Sequence, residues 1–192
     1  PRFGGAGGLA GHSFGNLFIA AMTEVLGDVE LALKESSKVL AVRGQVLPSS
    51  AQTIRLAAEM ADGSIVEGES QIPLAGKSIR RVFIQPEDAA PVASALEAIE
   101  AADAVILGPG SLYTSVLPNL IVGGMADALR RTQAVKIYIC NVMTQPGETD
   151  GYTASRHVQA IIDHAGPGVI DYVVVNDQQV APHLREVYAR QG

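Results

Sequence analysis

Three polar or glycine-rich loops contain the side chains of this sequence that could bind a ligand. The first reads GPGSLYTS at residues 108–115 and follows a short apolar run. Its glycines would let backbone N–H groups approach a ligand, and the start of a following helix would add positive potential. Hydroxyl groups here suit phosphate oxygens or a ribose, although an ordinary strand-to-helix turn is the alternative. The candidate ligand-binding residues are Gly108, Gly110, Ser111, Ser115 and, just beyond, Asn119.

The second loop reads NVMTQPGETD at residues 141–150. Ten mostly polar residues after an apolar run are more than a simple turn needs. Their amide, hydroxyl and carboxylate groups could read a base or a sugar, and the candidates are Asn141, Gln145, Glu148 and Thr149. The alternative is a surface loop whose Asn and Asp side chains bond to its own backbone.

The third loop reads GHSFGN at residues 11–16, where the first helix is expected to begin. His12 and Asn16 lie four residues apart, so on a helix both could face one ligand. Ser13 could contact the same ligand or could cap the helix. A structural or surface role for His12 is the alternative.

No catalytic constellation is supported by residue spacing. The 108–115 loop lacks the third glycine of a dinucleotide fingerprint and the lysine of a Walker sequence. His12 and Ser13 are adjacent in the sequence and cannot by that fact form part of a catalytic triad. His157 and His164 are seven residues apart, which is too far for one metal ion on a helix. We therefore assign no catalytic residue and predict no metal site.

Composition indicates a globular protein and opposes two classes of partner. The chain of 192 residues is 47% hydrophobic and 18% charged, with one cysteine, Cys140. A net charge of −6 without a basic stripe opposes nucleic-acid binding. No apolar run approaches the roughly 18 to 20 residues that span a bilayer. One cysteine excludes an internal disulfide framework and a cysteine-based zinc site.

Hydrophobic periodicity predicts the elements that hold these loops. Apolar residues at helical spacing predict one helix over residues 14–25, and Asp28 can cap a second. Alternation over residues 53–60 predicts a half-buried strand, and Asp62 with Gly63 is a strong hairpin signal. With a returning strand over residues 64–70 and another near residues 80–85, we expect an antiparallel β excursion near residues 40–85.

Helices and strands alternate in the rest of the chain. Apolar runs at residues 104–107, 136–140 and 170–175 predict buried strands, and helices are expected from Pro91, over residues 118–131 and from Thr153. Strands apolar on both faces and separated by helices imply an α/β protein with a Rossmann-like parallel sheet and helices on both faces. Ligands bind beyond the carboxyl ends of such strands, where the first two loops lie.

Taken together, these loops resemble the YvcK/CofD-like family. The matching segments are GHSFGN at residues 11–16, AVRGQVLP at 41–48, GPGSLYTSVLPN at 108–119 and CNVMTQPGETDG at 140–151. The resemblance covers nearly the whole chain to residue 176 and implies one domain over residues 1–192, with the 40–85 excursion inside it. Family members open with a strand and a Gly-Gly-Gly-x-Gly loop, which the chain lacks, so the resemblance also implies a domain incomplete at the N-terminus.

The family has two branches with different functions. Proteins similar to YvcK, the gluconeogenesis factors, bind UDP-sugars such as UDP-N-acetylglucosamine and influence carbon metabolism, cell shape and wall synthesis. Proteins similar to CofD transfer 2-phospho-L-lactate from a nucleotide-activated donor to a deazaflavin acceptor. The transferase branch usually carries a Ser-Asn-Pro stretch where this chain has residues 111–118, so the resemblance favours the YvcK branch.

The expected function is therefore a cytoplasmic nucleotide-sugar-binding regulator without a cofactor. Mg²⁺ would be required only if the transferase alternative held. The resemblance also suggests homo-oligomers and cell-wall-synthesis proteins as partners. A dinucleotide-dependent enzyme of Rossmann type is a third hypothesis, supported only by the alternation of helices and strands.

Overall fold

The computed structural model describes residues 3, 8, 12–40, 43–178, 180 and 184. Its helices are α1 Phe14–Leu26, α2 Val29–Val39, α3 Ala93–Ala101, α4 Leu117–Leu120, α5 Met125–Arg131 and α6 Ala154–Ala165. Its strands are β1 Arg55–Met60, β2 Ile65–Glu67, β3 Ile79–Gln85, β4 Ala104–Leu107, β5 Val135–Ile139 and β6 Tyr172–Val174. None of the helices in these ranges is long and apolar enough to cross a bilayer.

The first two helices form a closely joined pair, as predicted. Gly27 ends α1 in the left-handed conformation with φ of +71°. Asp28 then caps α2, because its Oδ1 accepts a hydrogen bond of 2.7 Å from the backbone N–H of Leu31. Ser13 occupies the N-cap position of α1, but its side chain makes no capping hydrogen bond.

The antiparallel excursion is a three-stranded sheet with the order β2-β1-β3. The predicted Asp62-Gly63 turn joins β1 to β2, with Gly63 at φ of +82° and the N–H of Met60 donating to the Ser64 carbonyl at 2.8 Å. Strand β2 is shorter than the predicted strand over residues 64–70. The chain turns away at Gly68, whose carbonyl accepts hydrogen bonds from two later backbone N–H groups and whose φ is +96°.

The second sheet is parallel and has the order β4-β5-β6. The predicted α/β class, with a parallel sheet, an antiparallel excursion and surrounding helices, is thereby confirmed. On one face of the parallel sheet, Leu107 and Tyr138 are buried in the core. On the other face, Ile106 is 58% exposed and Tyr172 is 65% exposed. The prediction that these strands are buried on both faces is therefore wrong at these two residues.

The single helix predicted over residues 118–131 is also wrong. A wide π turn over Leu112–Val116 leads into the short α4, and α5 begins only at Met125. Two glycines interrupt the helix between α4 and α5. Gly124 has φ of +80°. The N–H of Gly123 donates to the Ala89 carbonyl at 3.2 Å rather than to a carbonyl of the preceding helical turn. Backbone freedom at glycine makes this break inexpensive.

His164 connects α6 to the antiparallel sheet. The backbone N–H of Val82 on β3 donates to Nε2 of His164 at 3.0 Å. Since a backbone N–H can only donate, Nε2 must be unprotonated, and Nδ1–H then donates to the Ala160 carbonyl at 2.7 Å. The ring is therefore held in its neutral form, and its burial lowers the pKa of His164 below the ordinary 6.5.

This contact predicts a pH-dependent stability. Because the pKa of His164 is lowered in the folded chain, the unfolded chain binds the proton first as the pH falls. The stability that the neutral ring contributes is present above pH 6.5 and is lost as the pH falls through the lowered pKa. Urea denaturation measures the free energy of unfolding at each pH. We expect this free energy to fall as the pH is lowered from about 7.5 to about 5, and to fall more steeply in the native chain than in His164→Gln. The glutamine oxygen can still accept from Val82 but cannot be charged, so equal slopes would contradict this role.

Candidate functional site

The loops that follow β4 and β5 lie side by side, because these strands are parallel neighbours. Asn141 joins them directly. Its Nδ2 donates to the Gly110 carbonyl at 2.8 Å, and its Oδ1 accepts from the Gly110 N–H at 3.2 Å. A second bridge runs from the Ser111 hydroxyl to Oε1 of Gln145 at 2.6 Å. The two loops predicted from the sequence are therefore one hydrogen-bonded unit.

The glycine-rich turn approaches the neighbouring strand closely. Gly108 has φ of +81°, and a Cβ atom there would lie 3.1 Å from the carbonyl oxygen of Ile139. A larger residue would thus be strained and crowded at once. Gly110 has more space, since its nearest neighbour would be the Cβ of Ser115 at 3.6 Å. Ser115 itself is exposed.

A buried carboxylate lies where the two loops meet. Glu148 is only 4% exposed. Its Oε1 accepts hydrogen bonds from the Thr114 hydroxyl at 2.9 Å and from Nε2 of Gln145 at 2.7 Å, and its Oε2 accepts from the Tyr113 N–H at 3.2 Å. Burial raises the pKa of Glu148 above its ordinary 4.5, against the effect of the hydrogen bonds from Thr114 and Tyr113. These three donors take up much of the carboxylate's hydrogen-bonding capacity.

The antiparallel sheet and the connection between β2 and β3 form the opposite wall. The loop after β5 passes so close to this wall that a Cβ atom on Gly147 would overlap the carbonyl oxygen of Pro73 and lie 2.7 Å from its carbonyl carbon. We call the boundary between this wall and the two loops the seam. It separates residues 49–85 on one side from residues 111–122 and 145–152 on the other.

Three cavities follow one another along the seam. The largest, of about 720 Å³, includes Arg55, Glu67, Glu69, Thr114 and Asn119 in its lining. The central one, of about 360 Å³, includes Glu69, Ser70, Ser111, Thr114, Gln145 and Glu148. The third, of about 630 Å³, includes Pro73, Lys77, Glu148, Asp150 and Tyr152. Adjacent cavities share lining residues, so the three cavities lie next to one another along the seam.

All but one of the predicted site residues fall into three groups; the exception is Ser115, which is exposed and does not line the three cavities. Those that line the seam are Ser111, Gln145, Glu148 and Asn119. Those that shape the loops are Gly108, Gly110, Asn141 and Thr149. Thr149 is 1% exposed, and its hydroxyl accepts a hydrogen bond from the Gln145 N–H at 2.8 Å. His12, Ser13 and Asn16 stand at the start of α1 and are not among the residues lining these three cavities, so their contact with a ligand stays a prediction.

The sequence interpretation missed the residues that the antiparallel sheet brings to the seam, above all Glu69 and Ser70. It placed both in a strand over residues 64–70. The run EGES at residues 67–70 contains a signal that could have found them, because glycine between two glutamates favours a turn over a strand interior.

Across the described ranges, no three His, Cys, Asp or Glu side chains group closely enough to hold a metal ion.

The contact at Gly147 predicts an unequal cost for two similar substitutions. Gly147→Ala should destabilise the fold by about 2–3 kcal/mol, because the new methyl group meets backbone that cannot move aside. Gly151→Ala is the matched control: its φ of +69° is equally unfavourable for alanine, but a Cβ there meets open space. That variant should cost only about 1 kcal/mol. The measurement is urea denaturation of both variants, and equal losses would show that the approach to Pro73 does not constrain the loop.

The chain is similar to bacterial proteins called gluconeogenesis factors. It is 54% identical over 190 residues to the one from Halalkalibacterium halodurans, covering 99% of this chain and 59% of that protein. It is 49% identical over 187 residues to the one from Bacillus subtilis, covering 97% of this chain and 59% of that protein. The chain thus spans about three fifths of the length of these relatives.

A solved structure and a family model extend this similarity. The fold matches the crystal structure, at 2.60 Å resolution, of a member of the UPF0052 family from Bacillus halodurans, with a TM-score of 0.94 and 55% identity over 99% of this chain and 61% of that one. The family model described as 2-phospho-L-lactate transferase CofD matches residues 2–192. Because that match covers nearly every residue, the chain belongs to the CofD family.

Proposed function

We propose that this chain binds a UDP-sugar of the UDP-N-acetylglucosamine class at the seam, and that it does so as a regulator rather than as a transferase. The observation that supports this most is the joined pair of loops. Asn141 holds the glycine-rich turn, while Ser111 and Gln145 hold hydroxyl and amide groups at the edge of the central cavity. Such neutral groups are suited to reading the hydroxyl and carbonyl groups of a nucleotide sugar.

The burial and the hydrogen bonds of Glu148 favour a role in ligand binding over a role in catalysis. A general base needs a carboxylate that can reach a substrate proton. Glu148 is buried and already accepts three hydrogen bonds that join the loops, so we assign it a positioning role. No other carboxylate or histidine among the predicted site residues of the two loops offers an acid–base pair.

The relatives support a role in carbon metabolism. Proteins called gluconeogenesis factors match almost all of this chain at 49% to 54% identity in the two cases above. We extend that role to this chain as part of the proposal. Effects on cell shape and wall synthesis, a cytoplasmic location, homo-oligomers and cell-wall-synthesis partners belong to the same proposal and come from the YvcK branch of the family.

A second candidate function is the transfer of 2-phospho-L-lactate to a deazaflavin acceptor. The description of the matching family model favours it. It would require Mg²⁺, and it would require catalytic groups that we do not assign. Incubating the protein with an activated phospho-lactate donor, Mg²⁺ and the acceptor tests it directly, and formation of the coupled product would replace the regulator proposal.

Calorimetric titration with UDP-N-acetylglucosamine tests the main proposal. We expect saturable binding, and we expect Ser111→Ala and Asn141→Ala each to weaken it by roughly tenfold through lost hydrogen bonds and a loosened turn. Ser37→Ala is the matched control, because this α2 hydroxyl bonds to the Leu33 carbonyl and Ser37 is not among the residues that line the three seam cavities. Thermal unfolding of each variant should change little. Absence of heat at millimolar ligand would refute the proposal, and loss of folding in the two loop variants would make their role structural.

A further inference from the structure

The largest cavity of the seam has two kinds of lining. Its floor is apolar and consists of Ile54, Leu56, Ile84, Pro118 and Val122. Its rim is polar and comes mainly from the antiparallel sheet and the segment before it. A cavity of about 720 Å³ with an apolar floor and a polar rim suits a ring that has one less polar face and hydrogen-bonding groups at its edge.

Many polar groups on this rim are already bonded within the protein. They belong to Ser49, Ser50, Gln52 and Asn119. By contrast, no hydrogen bond or ion pair joins the side chains of Arg55, Glu67 or Glu69 to another residue in the described part of the chain. The charged side chains of this lining that have no hydrogen bond or ion pair within the described residues are therefore two carboxylates and one guanidinium group.

These charges determine which part of a nucleotide sugar the cavity can accept. Carboxylates repel a diphosphate, but they accept hydrogen bonds from sugar hydroxyl groups. Glu69 stands at the boundary, because it lines both the largest and the central cavity, and the central cavity adds the carboxylate of Glu148. The guanidinium group of Arg55 would attract phosphate, but the two carboxylates outnumber it and leave the lining with a net negative charge. Arg55 can instead donate to an oxygen atom of the sugar.

The glycine-rich turn offers the diphosphate a different place. Gly108 and Gly110 are not among the residues lining the three cavities, whereas Glu67 and Glu69 line the largest one. The turn meets the seam at the next residue, Ser111, which lines the central cavity. Backbone at such a turn can approach phosphate oxygens without a repelling side chain. The two ends of an extended ligand thus meet chemically different surroundings.

We propose that the 720 Å³ cavity is the subsite for the hydroxyl-rich sugar ring, that Glu69 determines specificity for that ring, and that the diphosphate lies outside the seam on the side of the glycine-rich turn. This inference rests on the proposed function, since it assigns an orientation to the UDP-sugar. It adds residues of the antiparallel sheet to a site that the sequence motifs place only in the loops.

Two ligands separate the sugar subsite from the nucleotide subsite. Calorimetric titrations of UDP-N-acetylglucosamine and of UDP into the native protein, Glu69→Ala and Glu69→Gln measure the contribution of Glu69 to each. We expect Glu69→Ala to weaken the UDP-sugar by about tenfold and Glu69→Gln to weaken it less, since glutamine keeps one acceptor oxygen. Binding of UDP should change by less than about twofold or become tighter, because a repelling charge is removed. Glu97→Gln on α3 is the control for a general charge effect, since Glu97 is exposed and does not line the cavity.

Each other outcome overturns one of the two proposals. Equal weakening of UDP and the UDP-sugar in the Glu69 variants would place the nucleotide rather than the sugar in the cavity. Unchanged binding of both ligands, or an equal effect of Glu97→Gln, would show that Glu69 does not read the sugar. If neither ligand binds the native protein, the proposed function itself fails, and this orientation fails with it.

Discussion

The site depends on the burial of one carboxylate between two loops. An acidic group removed from water must be matched by hydrogen-bond donors, and Glu148 obtains them from Tyr113, Thr114 and Gln145. Two of these donors precede α4 and the third precedes α6, so satisfying the carboxylate fixes both loops relative to each other. This arrangement of the two loops positions the polar side chains that face the seam, even though those side chains are not rigid on their own.

Two of the contacts described above hold the antiparallel sheet against the loops and α6. One is the close approach of Gly147 to Pro73, and the other is the hydrogen bond from Val82 to His164 on α6. Both are contacts of backbone with a group that has little freedom to move. A steric limit at Gly147 and a directed hydrogen bond to His164 therefore hold the antiparallel sheet against the loop after β5 and against α6.

Much of the fold could be predicted from the sequence because it depends on local signals. The Asp28 cap, the Asp62-Gly63 turn and the short apolar strands each have a signature within a few residues. The break at Gly123 and Gly124 could not be predicted, since it depends on the Ala89 carbonyl, which lies far away in the sequence. The site shows the same limit. The two loops were predicted from their polarity, whereas Glu69 and Ser70 reach the seam only through the packing of the antiparallel sheet.

The exposed face of the parallel sheet has a practical consequence for those who handle this chain. Ile106 and Tyr172 lie on that face with more than half of their surface in contact with solvent, and Val174 is 52% exposed beside them. Dyes that become fluorescent on apolar surfaces are commonly used as indicators of partly unfolded protein. Dye fluorescence from this chain is therefore best judged against a baseline recorded on the folded chain itself.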